Sequence, residues 1–175
     1  TFSGVEAIQL ENGADSGVTV TANASKLSGV TSITGDGAND ILALTDNTNL
    51  TGKALSTIDT LFLSEGVTVK GTDSDLSMTR FKGTSGGSDE NIFVATGNFT
   101  VNGDTFSNIA DLVLDAGNGL RQTLFVNNQT VFNDTDILGF EVGTRSTTDV
   151  FDWTSGLTAG NGSTSIGSSA DVSLT

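Results

Sequence analysis

Cysteine, histidine, proline and tyrosine are all missing from this chain, and tryptophan and methionine occur once each. Without cysteine there is no disulfide framework, and without cysteine or histidine none of the usual zinc sites can form. Positive charge is scarce: 7 Lys and Arg stand against 21 Asp and Glu, a net charge of −14. That balance repels nucleic acid and anionic membrane surfaces alike and attracts cations, which argues against polyanionic partners. No apolar run approaches the roughly 18 residues of a membrane span, so no membrane insertion is expected. The chain starts at Thr1 with neither an initiator Met nor a charged-then-apolar leader, which reads as a processed piece or a fragment of something longer. At 175 residues, one domain is the expectation.

What the chain does have is repetition. "FSGVEAIQLENG" (Phe2 to Gly13) returns as "LSTIDTLFLSEG" (Leu55 to Gly66) and "FSNIADLVLDAG" (Phe106 to Gly117). The common pattern is an apolar residue, a second at +3 and a third position at +5. It occurs at Val5-Ile8-Leu10, Val30-Ile33-Gly35, Ile58-Leu61-Leu63, Met78-Phe81-Gly83, Ile109-Leu112-Leu114 and Ile137-Phe140-Val142, 25, 28, 20, 31 and 28 residues apart. The first, third and fifth copies carry Leu at +5, while the second and fourth carry Gly, so the full unit is a pair of coils about fifty residues long. Units of about 2–54, 55–105 and 106–162 make one repeat domain, followed by a Gly/Ser-rich tail or final strand over 163–175.

Between the copies lie short alternating segments rich in Val, Ile, Phe and Thr, each bounded by turn residues: "VTVTAN" from Val18, "DILALT" from Asp40, "VTVKG" from Val67, "NIFVAT" from Asn91, "TLFVNN" from Thr123 and "DVFDWT" from Asp149. No window shows a convincing 3.6-residue period, and 22 glycines disfavour helix. Short strands recurring this often fit either a β-sandwich or a parallel β-solenoid. Repetition favours the solenoid, because each coil stacks on a near copy and the same positions point inward every time. The expected fold is therefore all-β, a parallel β-solenoid of about six to seven coils with little or no helix. A leucine-rich repeat shares the +3/+5 spacing but lacks here its Asn ladder and its helical or proline-containing return. On the solenoid reading Ile58, Leu61, Ile109 and Leu112 are core, whereas Glu6, Asp59 and Asp111 are exposed and cheap to replace.

A second element recurs as "GDGANDILAL" from Gly35, "GGSDENIFVA" from Gly86 and "GTRSTTDVFDW" from Gly143. It superimposes Asp40, Asn91 and Asp149, each two residues before a large apolar one. The frame is that of the nonapeptide G-G-x-G-x-D-x-U-x, in which a carboxylate and turn carbonyls hold Ca²⁺. The copies are imperfect and isolated, and the competing reading is that Asp, Asn and Gly are simply what tight turns use. Close acidic pairs at Asp73 with Asp75, Asp89 with Glu90, and Asp134 with Asp136 arise readily in an acidic surface. Basic side chains are too few and scattered for a polysaccharide-cleaving site, so no enzyme is expected; Asp149 and Asp152 beside Trp153 make the one spot that resembles a sugar site.

The phrases "FSGVEAIQLENGADSGVTVT", "LSTIDTLFLSEGVTV" and "TDVFDW" resemble the Gly/Thr/Asp-rich strand repeats of bacterial S-layer proteins and RTX-type surface adhesins, over most of the chain from Phe2 to about Gly162. The resemblance implies type I secretion, an extracellular place on the bacterial cell surface, Ca²⁺-dependent folding or assembly, and a structural role. The implied partners are other copies of the chain, flanking repeats of the same polypeptide, and cell-surface glycan. An adhesin or carbohydrate-binding module is the alternative. Carried over position by position, the implied metal ligands are Asp40 with Asp36 and Asn39, then Asp89 and Asn91, then Asp149.

Overall fold

A computed structural model describes residues 4–11, 16–37, 39–73, 76, 78, 80–85, 91–102 and 104–114; beyond them it describes the backbone of the strands 123–127, 131–133, 136–139, 149–153, 158–159 and 170–174. The strands form in the places where apolar and small polar residues alternate. In chain order the first elements are β1 (Ala7–Gln9), β2 (Thr19–Ala22), the single-turn helix α1 (Ala24–Leu27), β3 (Ser32–Thr34), β4 (Ile41–Leu44), β5 (Thr48–Asn49), β6 (Ala54–Ser56), β7 (Thr60–Leu63), β8 (Thr68–Gly71), β9 (Arg80–Gly83) and β10 (Ile92–Ala95). They are followed by β11 (Phe99–Asn102), β12 (Thr105–Ser107), β13 (Asp111–Leu114), β14 (Thr123–Asn127), β15 (Val131–Asn133), β16 (Asp136–Gly139), β17 (Asp149–Trp153), β18 (Thr158–Ala159) and β19 (Ala170–Leu174).

Every pairing between these strands is parallel, and each joins strands from successive passes of the chain. The longest sheet stacks seven strands in the order β18-β15-β12-β9-β7-β4-β2. A second runs β16-β13-β10-β8-β5, a third β1-β3-β6, and a fourth β11-β14-β17-β19. The third and fourth take the same step of the circuit, ahead of the seven-stranded sheet, so the chain winds around three faces. This is the parallel β-solenoid expected from the repeats. The coil count differs slightly from the expected six to seven: one face carries seven strands, a second carries five, and the remaining face carries three and then four in two separate ladders. Short strands, and a helix in place of one of them, interrupt the shorter ladders.

The short helix α1 fits the expectation of little helix and has a local cause. In the sequence "VTVTAN" the strand gives way at Asn23, whose extended backbone and side-chain oxygen, accepting from Lys26 N at 3.0 Å, start α1 in the position where later passes place a strand. The Lys53 ammonium closes the other end by donating to the carbonyls of Leu27 and Val30, at 2.8 and 2.7 Å. Leu27 points from α1 into the core with no exposed surface.

The core is a set of inward ladders. In the seven-stranded sheet Val20, Leu42, Leu61, Phe81 and Phe106 lie in register on successive rungs. The Phe81 and Phe106 rings stack at 4.5 Å, and Phe93 meets Phe81 edge-on from the neighbouring sheet at 5.0 Å. Ile58, Leu61, Ile109 and Leu112 are all buried, as the repeat phase requires. Threonine has its own recurring place just before a strand begins or just after one ends. Thr31, Thr45, Thr84 and Thr96 each give both the main-chain N–H and the hydroxyl to one carbonyl of the preceding pass, at Glu6, Ala22, Leu63 and Gly71 respectively. A β-branched residue with a short donor suits that position.

The fifty-residue unit does not stack on itself as the sequence suggests. Ile8 pairs with Ile33, and Leu61 with Phe81, so the first two pairs of copies do lie one on the other. Two passes, however, consume 47 residues from Ile8 to Leu55, or 45 from Leu61 to Phe106, whereas the phrase returns after 53 and then 51. Each unit therefore overshoots by six residues, which is one corner and one strand. Copies one and two lie on the β1-β3 face, three and four on the seven-stranded face, and the fifth on the β13 face. There Leu112 pairs in register with Ile137, three residues out of phase with the phrase.

Candidate functional site

The overshoot identifies what the phrase encodes, a corner that carries the chain from one face to the next. Its third residue, Gly4, Thr57 and Asn108 in successive copies, has φ of 75°, 55° and 52°. Glycine and asparagine tolerate this left-handed backbone well, whereas a β-branched threonine does so only under strain. The following Ile58 and Ile109 plug the core just inside the turn.

Asp40, the first implied metal ligand, sits beneath this corner and has no exposed surface. Its Oδ1 accepts from Val18 N at 2.8 Å and its Oδ2 from Asp36 N at 2.9 Å. Its own N–H donates to Asp59 Oδ2 at 2.8 Å, and its carbonyl accepts from the N–H groups of Asp59 and Thr60. One residue thus ties together three successive passes of the chain. Both carboxylate oxygens face main-chain donors, which makes Asp40 an acceptor for otherwise unpaired N–H groups in this structure. Asp59, expected to be exposed and cheap to replace, is half-buried because it joins this network; Asp111 is also half-buried, and Glu6 is exposed.

Asn91 occupies the same place one unit later. It is also buried, its Oδ1 accepts from Val67 N at 3.2 Å, its Nδ2 donates to Asn108 O at 3.4 Å, and its carbonyl accepts from Ala110 N at 2.8 Å. The alignment of Asp40 with Asn91 in the sequence therefore reflects a real equivalence, in which Thr57 corresponds to Asn108 and Asp59 to Ala110. The chemistry differs by one donor. Carboxylate Oδ2 takes the Asp36 N–H, whereas the amide NH₂ can only give, and it finds the carbonyl of the left-handed residue instead.

The same packing explains why the second and fourth copies carry glycine at +5. A Cβ on Gly35 would collide with the Asp40 carboxylate and the Thr57 carbonyl, and one on Gly83 with the Asn108 carbonyl and the Asn91 amide. The alternation of Leu and Gly noted in the sequence is thus the imprint of a buried Asx side chain. Reading that glycine as a contact with Asp40 or Asn91, and the Gly/Thr/Asn position as left-handed, would have disclosed the corner from sequence.

Of the remaining implied ligands, Asp36 and Asn39 are exposed on the turn before β4, with Asn39 at φ 58°. Asp89 lies outside the described residues, together with Asp75, Glu90 and Asp134, and Asp149 is described only as the first residue of β17. Among the described residues no three carboxylates, or other metal-ligating side chains of that kind, come together as a metal centre. The Asp149, Asp152 and Trp153 spot is described in its backbone alone, where Asp149, Asp152 and Trp153 pair in register with Ala170, Ser173 and Leu174.

One surface feature was not anticipated. On the outer side of the seven-stranded sheet, Thr19, Ile41, Ala43, Thr60, Phe62, Arg80, Lys82 and Ser107 line a groove of about 540 Å³. Comparison with family models, with curated proteins and with solved structures finds no match, so these arrangements stand on their own geometry.

Proposed function

We propose that this chain is a structural segment of an extracellular bacterial surface assembly of the S-layer or filament kind, exported by a type I route and stabilised by Ca²⁺. The observation that carries this reading is the open parallel ladder. Among the described strands β1 and β2 each pair on one side only, and so do β18 and β19; an edge of this kind offers main-chain donors and acceptors to a further strand. A strand from another copy or from flanking repeats continues both the hydrogen-bond ladder and the apolar ladder behind it, which is β-augmentation. A solenoid also lengthens by whole layers without redesigning its core.

The charge of −14 opposes close approach of copies, and divalent cations offset it. Because the Asp40 carboxylate is taken up by main-chain N–H groups, we assign Ca²⁺ to exposed oxygens such as those of the Asp36–Asn39 turn and to carboxylates brought together between copies. No described helix is long and apolar enough to cross a membrane. The reading is tested by light scattering and electron microscopy of the 175-residue chain in Ca²⁺ and then in chelator. Reversible growth of rods or sheets in Ca²⁺ is expected. A chain that stays monomeric at high concentration in both conditions overturns it and favours a stand-alone adhesive module.

A further inference from the structure

We infer that the groove on the outer face of the seven-stranded sheet binds an acidic saccharide, a chain of sugar rings bearing carboxylates. The register builds the groove from two outward columns. One carries Thr19, Ile41, Thr60 and Arg80 on successive rungs, the other Ala43, Phe62, Lys82 and Ser107. Successive rungs are about 4.8 Å apart, and residues two apart on a strand about 6.6 Å. Arg80 and Lys82 therefore stand side by side on one rung, with Phe62 on the rung before and Ile41 and Ala43 on the rung before that.

Charge selects the ligand. The net charge of −14 disfavours anionic partners over the chain as a whole, but two of its seven basic side chains share this groove, both exposed, and make a local exception to that balance. Among the described residues neither is engaged by an ion pair or a side-chain hydrogen bond. A guanidinium beside an ammonium suits a carboxylate, with Arg80 able to grip it through two parallel N–H donors. The remainder of the groove suits a sugar ring. Phe62 and Ile41, both half-buried, and Ala43 offer an apolar floor for a ring face, with Thr19, the buried Thr60 and Ser107 also lining the groove. The size is that of a small-ligand site, apolar in the main with a few convergent polar groups. This inference does not depend on assembly, because the groove lies on a sheet face and the proposed assembly uses strand edges.

The test is calorimetric or NMR titration of the 175-residue chain with a galacturonate oligosaccharide, against a neutral oligosaccharide of the same length and a glutamate peptide of the same charge. The uronate is expected to bind at least about tenfold more tightly than either control, and more weakly as salt is raised. Arg80→Gln with Lys82→Gln is expected to abolish the preference for uronate over the neutral sugar. Phe62→Thr is expected to weaken the uronate while leaving the peptide unaffected. Both variants sit on the outer face, and an unchanged melting temperature verifies their fold. Salt dependence in the parent chain supplies a readout that needs no variant. Equal or tighter binding of the glutamate peptide would transfer the groove to an acidic protein partner, another copy included, and overturn the saccharide. Absence of uronate binding up to about millimolar concentration overturns it as well, whether or not the chain assembles.

Discussion

Replacing Asp40 by Asn removes a single charge and little else in volume, and it separates two accounts of the same residue. In the folded chain Oδ1 accepts from Val18 N and Oδ2 from Asp36 N. An amide keeps one acceptor and turns a donor toward the other N–H, so one main-chain bond is lost whichever way the amide faces. Leaving a donor unpaired at a fully buried side chain costs about 1–3 kcal/mol. For a domain of this size each kcal/mol moves the melting temperature by about 2–4 °C, so a fall of about 3–9 °C is expected. The reciprocal Asn91→Asp places a carboxylate oxygen against the Asn108 carbonyl, acceptor against acceptor, and buries a charge there; it is expected to cost more. The assay is thermal melting followed by circular dichroism, in Ca²⁺ and in chelator. The corner account requires the Asp40→Asn loss to be the same in both. A loss seen only in Ca²⁺ would make Asp40 a metal ligand, and melting within a degree of the parent for both variants would show that these corners carry no weight.

Four further outcomes are expected. Ile109→Ala, which empties a fully buried corner plug, lowers stability by about 2–5 kcal/mol in denaturant titration; an unchanged midpoint would contradict the stacked core. Gly83→Ala costs about 1–3 kcal/mol by the same measurement, because its Cβ meets the Asn108 carbonyl and the Asn91 amide, one of them main chain; a neutral result would mean the corner relaxes freely. Thr57→Asn raises stability by about 0.5–1.5 kcal/mol, since asparagine suits φ 55° better than a β-branched residue and repeats the arrangement in which Asn108 Nδ2 donates to Gly83 O at 3.3 Å; a loss would show that the threonine is not strained there. Finally, millimolar Ca²⁺ raises the melting temperature over chelator, by an amount worth about 2.7 kcal/mol at a hundred times Kd, and equal midpoints would remove the cation from the account.

The class of fold and the phase of the core were legible in the amino-acid pattern alone. Alternation in "DILALT" and "VTVKG" places Leu42, Leu44 and Val69 inward, and period-two patterns of this kind leave a strand little choice of face. Strands formed at all six of the expected segments for the same reason, and the apolar residues of the repeated phrase at Ile58, Leu61, Ile109 and Leu112 are core as read. The pairing of Asp40 with Asn91 was also visible, because an identical backbone need recurs once per unit. What the pattern left open was the partner of each strand. A pass takes 19 to 27 residues on the seven-stranded face depending on its loops, and two passes fall short of the fifty-residue period by six, so similarity along the chain does not say which copy rests on which. Only the closed winding decided that Leu112 pairs in register with Ile137, that α1 takes the place of a strand, and that Asp40, Val18 and Asp59 from three different passes meet at one corner. The direction of a short polar side chain follows from such meetings. An Asp before a strand looks the same in sequence whether its carboxylate turns outward to a cation or inward to two main-chain N–H groups, and the stacking of neighbouring passes turned Asp40 inward.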